Sequence, residues 1–437
     1  MIRALMAGFL ALAALVAPVG AVDIRDVTSP GGIRAWLVEE HSIPFTALEV
    51  RFEGGASLDP AGKRGATALM MALLEEGSGT LDSQGFASAR QSLAAQFGFD
   101  SQDDAVTVSA KMLTENRAEA VALLKTSLTE PRFDQDAVER VRAQVISIIR
   151  SNEKDPGDIA SRAFDQLAFG EHPYATSRYG TEKTIAGVTR DDLIAAKAAV
   201  MTRDRIFVSA VGDITAEELG AMLDELFGSL PETGAVLPAP VVPDITGGVT
   251  LVDFASPQSV VIFGQRGIKR EDPDFFAAYI LNQIVGGQGF ASRLMDEVRE
   301  KRGLTYGINT YLVSMDLAET WQGSFSSANE KVAEAITVVR DVWARIAEDG
   351  VTEAELDAAK TYLTGSYPLR FDGNGTIANI LVGMQSERLP ISYVNDRNAY
   401  IEAVTLDDIR RVATRLMSPD ALRFVVVGQP VGVDPAN

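Results

Sequence analysis

Hydrophobic and polar residues alternate along Ile33–Val38, Thr46–Phe52 and Ala105–Ala110, and β-branched side chains are frequent there, which predicts three strands. Over Arg64–Glu75, Ser83–Phe97, Glu115–Leu128 and Asp134–Arg150 the apolar positions recur every three to four residues, the spacing of one helix face. The same alternation of signals returns downstream. Ser259–Gly264 and Thr320–Ser326 read as strands, and Asp274–Ile284, Asn329–Ile346, Glu353–Gly365 and Asp407–Leu416 as helices. Each half is therefore expected to be α+β: an α/β sandwich in which helices cover a mixed, mainly antiparallel sheet. Such a sheet has edge strands, which can accept an extended peptide by strand addition.

The halves are related. Residues 188–212 (VTRDDLIAAKAAVMTRDRIFVSAVG) align without a gap to residues 404–428 (VTLDDIRRVATRLMSPDALRFVVVG). Val188, Thr189, Asp191, Asp192, Met201, Asp204, Val211 and Gly212 recur as Val404, Thr405, Asp407, Asp408, Met417, Asp420, Val427 and Gly428. Each copy reads as a threonine-capped helix with an acidic first turn, then a turn, then a buried strand closing at glycine. A weaker echo pairs Ala118-Glu119-Ala120 with Ala333-Glu334-Ala335. These matches imply two homologous domains of roughly 200 residues, a long-period duplication and not a solenoid. We place them at 22–229 and 249–437. Residues 230–248 (LPETGAVLPAPVVPDITGG) concentrate proline and glycine and read as the linker.

The N-terminus starts with Arg3, continues as an apolar run to about Val16, and presents Val19-Gly20-Ala21. This pattern predicts a secretory signal peptide over 1–21, cleaved before Val22, and hence a periplasmic protein. The run is short for a bilayer span, which needs roughly 20 apolar residues. The chain has no cysteine, which excludes disulfides, thiolate catalysis and cysteine-ligated zinc. A net charge of −20 argues against nucleic-acid binding.

The candidate chemistry lies in Asn282–Ile308, NQIVGGQGFASRLMDEVREKRGLTYGI. A turn containing Gly286, Gly287 and Gly289 feeds an amphipathic helix that stops at Gly303, and a strand-like segment carries Tyr306 onward. The spacing lets Arg299, near the helix end, converge with Tyr306 just past the turn. Taken alone, Arg299 would be a solvated cation favouring the helix dipole, and Tyr306 a half-buried strand aromatic. Arg293 is expected to position the turn or pair within the fold.

This segment resembles the zinc metallopeptidases with an inverted motif: pitrilysin, insulin-degrading enzyme and the mitochondrial processing peptidase. The resemblance implies that Arg299 and Tyr306 hydrogen-bond a peptide substrate or the oxyanion formed during its hydrolysis. It also implies a zinc site in the first half, written His-x-x-Glu-His on a helix, with a further glutamate from a later helix. The corresponding frame here is GATALMMALLEEGSGT at 65–80. Gly65 and Gly77 are kept, but Ala68 and Ala72 stand where the histidines would be, and Met71 where the glutamate would be. Counting back from Asp155-Pro156 puts the further ligand near Ile149. None of the four can bind zinc or transfer a proton.

The two histidines, His41 and His172, have no ligand spacing, and Glu75-Glu76 reads as a solvated helix end and not as an acid/base pair. The expectation is thus a chain without a metal or cofactor of its own. It would supply Arg299 and Tyr306 to a homologous zinc-bearing partner and act with it on peptides or small unfolded proteins. The alternative is a non-enzymatic binding or structural protein of the same fold. An unrelated hydrolase using carboxylates has little support.

Overall fold

The computed structural model describes residues 23–287 and 291–435; the expected signal peptide at 1–21 and Gly289 lie outside them. In the first half the strands are β1 (Arg25–Thr28), β2 (Arg34–Glu39), β3 (Phe45–Glu53), a small hairpin of β4 (Gly77–Ser78) and β5 (Leu81–Asp82), then β6 (Gln96–Ser101), β7 (Ala105–Leu113) and β8 (Ile206–Gly212). The second half contributes β9 (Gly248–Asp253), β10 (Gln258–Arg266), β11 (Ile308–Ser314), β12 (Glu319–Ala328) and β13 (Arg423–Gly428). The two main sheets run β1-β2-β8-β3-β7-β6 and β11-β12-β10-β13-β9. Apart from the extra edge strand β1, the second order is the first reversed, with β9, β13, β10, β12 and β11 standing for β2, β8, β3, β7 and β6. The parallel pair is β2 with β8 in one sheet and β9 with β13 in the other, and the remaining pairs are antiparallel. This is the α+β duplication that the sequence implies.

The first-half helices are α1 (Ala66–Ala72), α2 (Ser83–Ser92), α3 (Arg117–Thr129), α4 (Gln135–Asn152), α5 (Pro156–Phe169), α6 (Glu182–Ala186), α7 (Arg190–Val200) and α8 (Ala216–Phe227). The second half has α9 (Phe275–Gly286), α10 (Val332–Asp349), α11 (Glu353–Ser366), α12 (Asn374–Ser386), α13 (Tyr393–Ala403) and α14 (Leu406–Leu416). Thr189 and Thr405 cap α7 and α14 through identical capping boxes with Asp192 and Asp408. Gly212 and Gly428 end the strands that follow at φ of +134° and +156°. A Cβ at either would lie 2.2 Å from the neighbouring strand, against the Phe45 carbonyl oxygen or the Ser259 hydroxyl.

Two predicted helices are shorter than the periodicity suggested. Arg64–Glu75 is helical only over Ala66–Ala72. The segment Ser83–Phe97 ends its helix at Ser92, Ala94 takes φ +50°, and Gln96 begins strand β6. Phe97 is a strand residue, and its ring packs 6.4 Å from Phe86 on α2, centroid to centroid. The alternating run QFGFDS fits that role better than the helical period did.

Packing joins the halves in a way no pattern announces. Leu48, Val50 and Phe52 of β3 point into the first half's core, and Phe263, Trp321, Trp343 and Phe424 build the second. The other face of each sheet is covered from across the molecule. Ala160, Phe164 and Ala168 of α5 pack on Ile262, Val425 and Val427 of the second sheet. Ala378, Leu381 and Met384 of α12 pack on Trp36, Ala47 and Val211 of the first. The 230–248 connector is pinned as well: the Val241 amide donates to the Leu317 carbonyl (2.9 Å), and the Asp244 amide to the Ala168 carbonyl (2.8 Å).

The β6–β7 and β11–β12 turns, equivalent under the duplication, meet at this seam. The Asp316 amide donates to Asp104 Oδ2 (3.1 Å), and the Leu317 amide donates to the Tyr174 hydroxyl (3.2 Å), which itself donates to Asp104. Burial pushes Asp103 and Asp316 up to about 6 and Asp165 of α5 up to about 7, with the Asp103 charge adding to the Asp165 shift. These groups hold more protons folded than unfolded between about pH 4 and 7. Their contribution to stability therefore falls as pH rises through that window, and the penalty is complete above it. Asp165→Asn should raise the unfolding free energy by about 1–2 kcal/mol at pH 8, less than the roughly 4 kcal/mol that the whole shift would give at about 1.4 kcal/mol per pKa unit without solvent screening, and change it little near pH 4. Urea titrations at the two pH values check this, and an equal gain at both would refute it.

Candidate functional site

Between α9 and β11 the chain winds through a wide, π-type helical turn at Met295–Glu300 and then reverses. The Gly303 and Leu304 amides donate to the Arg299 and Val298 carbonyls (2.8 and 2.9 Å). Gly303 takes φ +60°, the left-handed conformation such a helix stop requires. Tyr306 is in the bend that follows and not in the strand, which begins at Ile308. The Thr305 hydroxyl holds this bend. It lies 2.8 Å from the Gly307 carbonyl and 2.7 Å from the Ser326 carbonyl, and it accepts from the Gly307 amide (3.2 Å). The bend holds Tyr306 with its side chain directed outward; the residue is 88 % exposed, far more than a half-buried strand aromatic.

The structure brings Arg299 and Tyr306 to one cavity of about 410 Å³, together with Gln258, Glu300, Ser326 and Lys331. Arg299 Nη1 meets Glu300 at 2.9 Å. The neighbouring charges are engaged elsewhere. Glu297 accepts from Lys301 (2.8 Å) and Arg302 (2.7 Å), and these bonds hold its carboxyl down at about 2. Arg293 makes a two-pronged pair with Glu355 (2.6 and 2.8 Å), which keeps that carboxyl at about 2 as well. Arg293 is thus a fold residue, as its sequence context indicated. The Arg299 guanidinium and the Tyr306 phenol both line this cavity, and both are hydrogen-bond donors of the kind a carbonyl oxygen or a developing negative charge accepts from.

The first-half positions are filled differently. Ala68, Met71 and Ala72 are on α1 and Ile149 on α4. Met71 (1 % exposed) and Ile149 (4 %) belong to the same apolar cluster, and Ala68 is buried. These side chains offer no imidazole, carboxylate or thiolate, so they do not fit a zinc ion. Among the described residues no group of three or more His, Cys, Asp or Glu is placed to hold a metal. His41 Nδ1 sits 2.7 Å from Asp213, and His172 Nε2 lies 3.2 Å from the Ala239 carbonyl. Glu75 pairs with Arg90 (3.0 Å) and Glu76 with Arg140 (2.5 Å), as expected of solvated charges. Sequence reading missed Thr305 and Lys331. The first is visible only as a neighbour in LTYG, and the second lies in the short turn between β12 and α10, with no local signal.

Comparison with known proteins gives the family. The sequence model of the insulinase family, peptidase family M16, matches residues 34–182, and that of the peptidase M16 inactive domain matches residues 187–363. The chain belongs to peptidase family M16. A non-peptidase homolog, YmxG of Helicobacter pylori, is 26% identical over 390 residues, covering 89% of this chain and 90% of that protein. An uncharacterized zinc protease of Mycobacterium tuberculosis is 28% identical over 413 residues, covering 92% of each. A crystal structure of a peptidase M16 inactive domain from Pseudomonas fluorescens superimposes with a TM-score of 0.87 at 29% identity, over 95% of this chain and all of that one. This M16 protein is therefore a homologue without a zinc site, and Arg299 and Tyr306 stand in its second half. Among the described residues no helix is long and apolar enough to cross a membrane.

Proposed function

We propose that this M16 protein is the non-metal-binding subunit of a periplasmic zinc metallopeptidase. Arg299 and Tyr306 complete a site whose zinc and general base come from a homologous partner chain, and the pair of chains hydrolyses peptides or small unfolded proteins. One observation carries the reading. The two donors share an open cavity with Tyr306 turned to solvent, while the zinc positions of the same chain are packed as apolar core. A packing role alone does not account for so exposed a tyrosine. The name of the Helicobacter relative, a non-peptidase homolog, supports a second reading, a binding or structural protein of the same fold.

The test is reconstitution. The purified chain alone should not cleave an unstructured peptide, and adding the zinc-bearing partner should give a stable heterodimer that does. Tyr306→Phe removes one donor and should lower turnover about 10²-fold, the usual loss for an oxyanion donor, with the heterodimer intact by size-exclusion chromatography. If the partner cleaves equally well alone, the subunit reading fails and the binding role stands.

A further inference from the structure

The cavity beside Tyr306 differs from two others in its charge. The cavity at the seam is lined by Glu53, Glu271, Asp316, Glu319 and Glu387 against Lys269, Arg270 and Arg388, and the one beside Arg293 also has more carboxylates than cations. The Tyr306 cavity has two cations, Arg299 and Lys331, and a single carboxylate, Glu300. In a chain of net charge −20, such a local excess of positive charge favours anions at this spot. The cavity beside Trp36 has the same balance, but there Arg34 is paired with Asp26 (2.5 Å) and Arg388 with Glu53 (2.9 Å).

The cations are held in place. Lys331 donates from Nζ to the Gly303 carbonyl (3.0 Å), which spans the cavity from the start of α10 to the turn carrying Tyr306. An ammonium has three donors, so this bond leaves it able to meet an anion. Arg299 lines the same cavity, and its contact with Glu300 joins two partly exposed side chains, 32 % and 55 % exposed. Exposed pairs of that kind contribute about 0–1 kcal/mol, so an incoming carboxylate can compete with Glu300 for that contact. Ser326, exposed on β12, and the Tyr306 phenol add neutral donors around the same space.

We propose that this cavity is a carboxylate subsite, in which Lys331 and Arg299 hold an acidic group of a bound peptide next to Tyr306. The inference rests on the subunit reading for its substrate class, peptides, but the binding event belongs to this chain alone. The acidic group is either the peptide's C-terminal carboxylate or an Asp or Glu side chain.

Fluorescence anisotropy on the full chain tests it with three dye-labelled, unstructured peptides of one backbone: a free acid without Asp or Glu, its C-terminal amide, and that amide with one internal Glu. Tighter binding of the free acid than of its amide, by about tenfold, identifies the chain end, and tighter binding of the Glu peptide identifies the side chain. Lys331→Gln should abolish whichever preference is seen, and Lys331→Arg should keep it. Both variants should retain the wild-type circular dichroism and melting temperature, because Lys331 is exposed. Equal binding of all three peptides, or a preference that survives Lys331→Gln, overturns the subsite. The two proposals fail separately. A preference without any effect of Tyr306→Phe on cleavage by the heterodimer removes the subunit reading only. A Tyr306→Phe defect without a preference removes the subsite only.

Discussion

Truncation of Phe164 to alanine is expected to lower the unfolding free energy by about 3–5 kcal/mol, the cost of a large buried aromatic with the cavity it leaves. Phe164 belongs by sequence to α5 of the first half, yet its ring is 1 % exposed and packs on the second half's sheet. It fits there because Gly264 has no side chain: a Cβ on Gly264 would lie 2.8 Å from the tip of the Phe164 ring. The loss should therefore fall on the coupling between halves as well as on total stability. Trp36 reports on the first sheet, and Trp321 and Trp343 on the second core. Wild-type fluorescence and far-UV circular dichroism should follow one urea transition, and in Phe164→Ala the two signals should separate. A loss below about 1 kcal/mol would mean that α5 is not a structural element of the second half. Leu381→Ala on α12, 0 % exposed against the first sheet, is the reciprocal case and should show the same separation.

Met71→Glu should destabilise the fold by about 3 kcal/mol or more at pH 8. The substitution returns the carboxylate expected of a zinc peptidase, but to a position that is 1 % exposed and shares an apolar cluster with Ile149. A buried carboxyl is pushed above its ordinary pKa, so the folded state gains protons relative to the unfolded one. The defect should therefore be largest at high pH and shrink as pH falls toward 5. Adding Ala68→His, Ala72→His and Ile149→Glu provides the ligand set, and the melting temperature of that variant should rise with zinc concentration while the wild type's does not move. A Met71→Glu protein as stable as wild type would show that the site is hydrated and only lacks its ligands. The expected result shows instead that the metal pocket is packed shut as part of the core.

Much of this was legible in the sequence because the signals are local. A threonine three residues before an aspartate closes a capping box whatever surrounds it, so α7 and α14 could be read from VTRDD and VTLDD. The exchange of Ala, Met and Ile for zinc ligands is likewise a matter of residue identity at fixed spacing, and Arg299 and Tyr306 are placed by a helix stop at Gly303 that glycine alone announces. The error over Phe97 arose where two periods compete over a few residues, and the aromatic contact with Phe86 decided for the strand.

By itself, the sequence determined the duplicated α+β plan, the absence of zinc donors at Ala68, Met71, Ala72 and Ile149, and the nearness of Arg299 to Tyr306. Each of those depends on residues within a few turns of one another, or on comparing one half with the other. Tertiary structure alone decided that α5 and α12 cover the opposite half's sheet, that Asp104 meets Asp316 at the seam, and that Lys331 shares a cavity with Tyr306. An amphipathic helix fixes which of its faces must be buried but not which surface buries it. That choice is made by shape complementarity between segments far apart in the chain, such as the Phe164 ring over Gly264, and no local pattern encodes it.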